Sequence, residues 1–210
     1  MEDILDLYAQ QADPLRPRIC FDERPCLMIG DVISPIPMQA GKPKKIDYEY
    51  LHGQAVVALL AYNMDTGQRH VVISDTKKKV DYATFFKWIL ETHYPHVQSL
   101  QLVQDNLNTH TKGAFYKTFP PDEARKLAKR LEFHFTPKHG SWLNMAEIEF
   151  SALSIQCLDR RIPNKETFIR EVAAWEKKRN EKAVKINWSF TTDLAQQKLA
   201  RHYCNVYNNY

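Results

Sequence analysis

The sequence predicts an α/β domain, a mixed five-stranded sheet flanked by helices. Three observations predict it. Three strand-like runs open the chain and are joined by turn-rich segments. Helix-like and strand-like segments then alternate to its end. Acidic residues stand where the first and fourth strand-like runs end, and again inside a late helix. With 210 residues, 44% hydrophobic and 26% charged, the chain is long enough for one domain with a self-sufficient core.

Residues 1–17 hold Asp3, Asp6, Asp13, Pro14 and Pro17 and read as a lead-in to a domain spanning 18–205. Ile19 to Phe21 is the first strand. Residues 31–47, with Pro35, Pro37, Pro43, Gly41 and several lysines, read as a surface loop or extended arm. His52–Tyr62 and Gln68–Ser74 are strand-like, and Asn63-Met-Asp-Thr-Gly67 between them has hairpin-turn chemistry. From Asp81 to Thr92, Tyr82, Phe85, Phe86, Ile89 and Leu90 recur at helical spacing, with Asp81 as N-cap. Leu100–Val103 is a fourth strand. A short helix is expected over Thr111–Lys117, and a basic one from Pro120-Pro121-Asp122 to Arg130, acidic in its first turn. Leu131–Thr136 is a fifth strand, stopped by Pro137. Helices follow over Trp142–Leu158, from Pro163-Asn164 to about Lys178, and within Phe190–Tyr203. Three strands, then alternating helices and strands, is the order of the ribonuclease-H-like fold.

The formal net charge of +4 is compatible with a polyanionic partner. Its distribution says more: Lys42–Lys45, Lys77–Lys79, Arg125–Arg130, Arg160-Arg161 and Lys177–Arg179 are local clusters. Such runs bind phosphate only if they gather on one face. Cys20, Cys26, Cys157 and Cys204 form no CxxC or zinc-finger spacing and read as reduced thiols. The acidic start and the absence of any apolar run of membrane-spanning length predict a cytoplasmic protein with no membrane partner.

Asp22 follows Arg18-Ile-Cys-Phe21; Asp105 ends Leu100-Gln-Leu-Val-Gln104. Two strand-end aspartates and a helical glutamate suit a pair of hard divalent cations. Strand alternation puts Asp22 and Glu23 on opposite faces, and periodicity leaves the choice between them open. On a helical wheel, Glu147 shares a face with Leu143, Phe150 and Leu158. Glu149 lies nearer Trp142, Met145, Gln156 and Arg160. Glu147 is therefore expected at the edge of the inner face, and Glu149 outside. Asn106, Asn108 and His110 follow Asp105 in a loop; His110 could orient a metal-bound water or a phosphate, or the loop could be a simple capped turn. Lys138 and His139 precede the Glu147 helix and could touch DNA phosphate, or the loop could simply be solvated. Trp142 could stack on an unpaired base or join the core.

With these residues in place, the chain resembles the catalytic domain of DDE transposases, in the bacterial insertion-sequence branch related to mariner elements. The resemblance rests on Cys20-Phe-Asp-Glu-Arg-Pro25, Val103-Gln-Asp-Asn-Leu-Asn-Thr-His110 and Phe135-Thr-Pro-Lys-His-Gly-Ser-Trp-Leu-Asn-Met-Ala-Glu147. It runs from about residue 15 to 200. It implies a ribonuclease-H-like core with Asp22, Asp105 and Glu147 as the catalytic triad. These would hold two Mg²⁺ ions, or Mn²⁺ in their place, with Asp22 bridging both. It implies hydrolysis at transposon ends and strand transfer of the freed 3′-hydroxyl into double-stranded target DNA, by a homodimer on DNA in the nucleoid.

Only about 20 residues precede Asp22, so no helix-turn-helix domain is seen, and a separate polypeptide is expected to supply DNA recognition. The interval from Asp105 to Glu147 is longer than mariner relatives carry, with basic Lys117–Arg130 as the excess. Two other readings compete: a non-catalytic DNA-binding remnant, and a structure-specific nuclease on the same fold.

Overall fold

The computed structural model describes residues 1–200. One mixed sheet has the strand order β3-β2-β1-β4-β5. Strands β1 (Arg18–Asp31), β2 (Tyr50–Asn63) and β3 (Arg69–Ser74) form an antiparallel meander. Strand β4 (Leu100–Gln104) pairs parallel with β1, and β5 (Leu131–Phe135) parallel with β4. The turn from β2 to β3 is the expected one. The Asn63 side chain accepts from the Asp65 and Thr66 N–H groups, and Gly67 sits at φ +74°. A Cβ on Gly67 would also lie 2.9 Å from Lys185 Cγ.

Side chains alternate across the sheet, so β1, β2 and β4 each feed two cores. Ile19, Phe21, Leu59 and Leu102 face helices α2 (Lys79–Trp88), α3 (Lys112–Thr118) and α4 (Pro121–Lys129), meeting Phe85, Phe86, Phe115 and Leu127. Cys20, Met28, Leu60 and Val103 face the opposite layer, built from α1 (Glu2–Ala9), α5 (Met145–Leu153), α6 (Lys165–Glu181) and α7 (Thr192–Lys198). Each fully buried large apolar side chain contributes about 1.5–3 kcal/mol. Every residue of β4 is buried, as suits a strand covered on both faces.

The lead-in is more than a lead-in. Helix α1 packs Ile4, Leu5 and Leu7 into the core, and Arg18 ties its carboxyl end by donating to the Leu7, Tyr8 and Gln10 carbonyls. Its neighbouring acids mask this short apolar stripe in the sequence. Helix α2 begins two residues before the expected N-cap. Asp81 instead occupies the third helical position, where its carboxylate reaches back to the Lys78 N–H at 2.7 Å. Strand β1 runs ten residues past Phe21, because β2 pairs with it as far as Asp31. The segment between β1 and β2 is the expected arm, closed by isolated bridges Ile36–Lys45 and Gln39–Lys42, with Ile33, Met38 and Tyr48 exposed. The last helix covers Thr192–Lys198; positions 201–203 of the expected one, and Cys204, lie outside the described residues. Cys20, Cys26 and Cys157 are buried free thiols. Among the described residues no helix is long and apolar enough to cross a membrane.

Candidate active site

The parallel pairing of β1 with β4 sets Cys20 opposite Val103. Two residues beyond that pair stand Asp22 and Asp105. From here β1 continues against β2, with Asp22 opposite Leu60, whereas β4 stops at Gln104. The strands part at the carboxyl end of β4, which opens a crevice of the kind α/β sheets use for ligands. Phe21 packs among Tyr82, Phe85 and Phe86, with ring centroids 5.4, 5.4 and 4.9 Å away. That fixes the choice periodicity left open: Glu23 lies on the α2 side with Phe21, and Asp22 on the α5 side.

Burial pushes the Asp22 carboxyl up to about 7, partly offset by the Glu23 N–H that it accepts at 2.8 Å. The negative charges of Glu147, Glu23 and Asp105 raise it further. Asp22 thus feels both other acids of the expected triad.

The helix carrying Glu147 departs from its expected form. Ser141–Leu143 is a 3₁₀ turn, the α-helix covers Met145–Leu153, and Ser154–Leu158 is a wider π-helical turn. Leu143 and Leu158, which set the helical-wheel register, therefore lie outside the α-helix. The buried stripe is Met145, Ala146, Glu149, Phe150 and Leu153. Glu149, expected outside, is fully buried between Arg69 and Arg179, at 2.8 Å from each. Glu147, expected on the inner face, is exposed, and its carboxylate makes no hydrogen bond or ion pair among the described residues. It projects from the first turn of α5, beside the crevice rather than beneath it.

Asn144 holds this arrangement, a role the sequence reading missed. Its side chain caps α5 by accepting from the Ala146 N–H at 3.1 Å and donates to the Phe21 carbonyl at 2.7 Å. One buried amide thus joins the residue before Asp22 to the helix of Glu147. An Asn three positions before a Glu at a helix start is a capping signal that the expected earlier helix start obscured.

His110, expected near phosphate or metal-bound water, is buried instead, 1% exposed. Its Nε2 lies 2.7 Å from Glu23 Oε2 and its Nδ1 2.5 Å from Asp105 Oδ1. Burial opposes charge on the ring, but the contacts with Asp105 and Glu23 outweigh it and hold the imidazolium up to about 9. The approaches are short yet poorly aligned: both Glu23 oxygens and Asp105 Oδ1 remain buried without a well-formed hydrogen bond.

Asn106, Lys138 and His139 do share one place. With Asp105 and Ser141 they line an open cavity of about 600 Å³ beside the acids. All three are exposed. His139 sits at φ +62° in a turn closed by Gly140, whose N–H reaches the Pro137 carbonyl at 2.8 Å. A Cβ on Gly140 would come within 2.6 Å of Pro137 Cγ, so the turn requires glycine. Trp142 is 46% exposed and edge-on to Phe190 at 5.4 Å. Of the basic clusters, several arginines are engaged internally: Arg130 with the Val97 carbonyl, Arg161 with Asp31, and Arg179 with Glu149.

A family model described as DDE superfamily endonuclease matches residues 17–169, a span that includes all three acids. The chain belongs to the DDE superfamily of endonucleases. Among solved structures, this DDE endonuclease is similar to a Mos1 transposase paired-end complex with left transposon end, with TM-score 0.60 and 13% identity. It is also similar to a Mos1 mariner paired-end complex with Mn, with TM-score 0.57 and 13% identity. In both cases the match covers 87% of this chain and 55% of the other, so the chain spans just over half the length of those transposases. The shared fold is the mixed, helix-flanked sheet of the ribonuclease-H-like class, as its element order predicts. No curated protein matches the chain.

Among the described residues, no three His, Cys, Asp or Glu side chains stand together in a ready-made metal cage. The donor chemistry nonetheless suits a hard cation. The acids of this DDE endonuclease supply oxygen donors only; the Asp105 side chain stays 33% exposed at the crevice while its Oδ1 meets His110, and burial and acidic neighbours both disfavour the Asp22 charge in the absence of a counter-ion. Glu147 is the exposed member, on the surface of α5.

Proposed function

We propose that this chain is the catalytic core of a DDE transposase. It would hydrolyse phosphodiester bonds at transposon DNA ends and join the freed 3′-hydroxyl to target DNA. The observation that supports this best is the meeting of Asp22 and Asp105 at the parting of β1 and β4, within reach of the Glu147 charge. Asp22, Asp105 and Glu147 would hold two Mg²⁺ ions, or Mn²⁺. When bound, such a pair activates the attacking oxygen and stabilises the leaving one. The chain's own residues position the DNA. Lys138 and His139, across the cavity from Asp105, would take backbone phosphate, Asn106 would donate beside it, and exposed Trp142 offers a stacking face. Asn144 keeps the Asp22 strand and the Glu147 helix in step.

The Mn-containing Mos1 complex favours divalent ions as cofactor, and the paired-end complexes favour DNA ends as partner. A DNA-bound homodimer, a separate helix-turn-helix polypeptide and action at the nucleoid in the cytoplasm belong to the same reading. The test is nicking of plasmid DNA by the purified chain with Mg²⁺ or Mn²⁺, beside Glu147→Gln. Cleavage by the wild type alone is expected. Equal cleavage by both would remove Glu147 from the reaction. Cleavage without joining of a 3′-hydroxyl oligonucleotide would make the chain a nuclease rather than a transposase.

A further inference from the structure

We infer that Glu23 and His110 form a positioning pair that fixes Asp105 for ion binding, an inference that rests on reading Asp105 as a ligand. Their order in space is Glu23, His110, Asp105, with the ring between the two carboxylates at 2.7 and 2.5 Å. The Glu23 side chain is 3% exposed and makes no other hydrogen bond or ion pair among the described residues. Burying a carboxylate for packing alone is unfavourable, because it strips the charge of its hydration. Here the cost is coupled to a residue that ends at the crevice.

The ring has little freedom. Tyr82 stacks on it, with centroids 5.0 Å apart and planes at 24°, and Phe21 meets it edge-on at 5.3 Å. The backbone beneath it is fixed as well. Tyr82 Oη donates to Gln104 Oε1 at 2.8 Å, and Gln104 Nε2 donates to the His110 carbonyl at 3.0 Å. Gln104 directly precedes Asp105, so the loop from Asp105 to His110 is held at both ends by one buried network. Asp105 is left with its Oδ1 buried against the ring while its side chain as a whole stays 33% exposed. The carboxylate is therefore oriented, with one edge anchored and the rest open toward the crevice. Partners of this kind set the direction of a ligand's lone pairs, and losing them typically costs about 10- to 100-fold in metal affinity.

The test uses the full chain and two readouts. In metal-free protein, proton NMR should show a His110 Nε2–H resonance protected from solvent exchange, retained in Glu23→Gln, which keeps an acceptor oxygen, and lost in Glu23→Ala. Mn²⁺ affinity, measured by electron paramagnetic resonance of the free ion, should fall about 10- to 100-fold in Glu23→Ala and stay near wild type in Glu23→Gln. If Glu23→Ala does not fold, His110→Asn against His110→Ala makes the same comparison, since Asn keeps a donor near the Nδ1 position. Full Mn²⁺ affinity in the alanine variant, with weakened binding in Glu147→Gln, overturns the pairing. Full affinity in both overturns the acid-site reading instead. An unchanged N–H resonance in Glu23→Ala overturns the pairing without reference to any metal.

Discussion

Arg69 and Glu149 face each other with no solvent on either side chain, Arg69 Nε lying 2.8 Å from Glu149 Oε2. Arg179 reaches the other oxygen, also at 2.8 Å. Strand β3, helix α5 and helix α6 are thereby tied at one point beneath the helix that carries Glu147. Breaking a buried pair leaves an uncompensated charge, which costs about 3–5 kcal/mol. Glu149→Ala is therefore expected to lower the unfolding free energy from urea titration strongly, while Glu147→Gln changes it by no more than about 0.5 kcal/mol, as for an ordinary surface change. Equal effects from the two would contradict the burial of Glu149.

Asn144→Ala should cost stability and activity together. Loss of the helix cap accounts for about 1 kcal/mol, and an unsatisfied Phe21 carbonyl for about 1–3 kcal/mol more. Because the amide joins the Asp22 strand to the Glu147 helix, cleavage measured well below the unfolding temperature should fall further than the folded fraction does. Activity that merely tracked the folded fraction would reduce Asn144 to a cap.

Asp22→Asn should make the metal-free protein more stable. Burial and three neighbouring acids disfavour its charge, and relieving a strained site of this kind commonly gains about 0.5–2 kcal/mol. Thermal unfolding in EDTA near pH 8 checks this; an unchanged or lower midpoint would mean that the acids do not repel one another as the fold places them.

His70 predicts a pH effect remote from the acids. Burial pushes it down to about 3 from 6.5, with His93 and Arg69 adding to the fall. The unfolded chain then takes up the proton first. This contribution to stability is whole above pH 6.5 and is lost as pH falls toward 3. His70→Phe should flatten the stability slope in that window relative to the wild type, as read from urea midpoints at several pH values. An equally steep slope in the variant would assign acid sensitivity to other groups.

The sheet was legible because its signals are local. Alternating and continuous apolar runs marked all five strands, and Asn63–Gly67 marked the hairpin. The placement of Asp105 followed from the end of β4, whereas Asp22, expected at a strand end, lies inside β1, because pairing with β2 carries that strand on to Asp31. Glu147 and Glu149 were not legible in the same way. The wheel that separated them assumed one regular helix, whereas Gly140 and Asn144 restart the helix at Met145 and a π turn widens its end. Glu149 also looked like a surface acid because its counter-charges, Arg69 and Arg179, are far away in sequence. The same distance hid Glu23 and His110, whose partnership spans 87 positions between Glu23 and His110 and exists only once β1 and β4 are paired.

That pairing has a consequence for how the protein is made. The β1–β2–β3 meander is built from neighbouring segments and can close early, whereas β1 meets β4 only after some eighty intervening residues have emerged. Glu147 arrives later still. A nascent chain can therefore carry the folded meander with Asp22 already in place before Asp105 and Glu147 have joined it, so the three acids come together in the order of their synthesis.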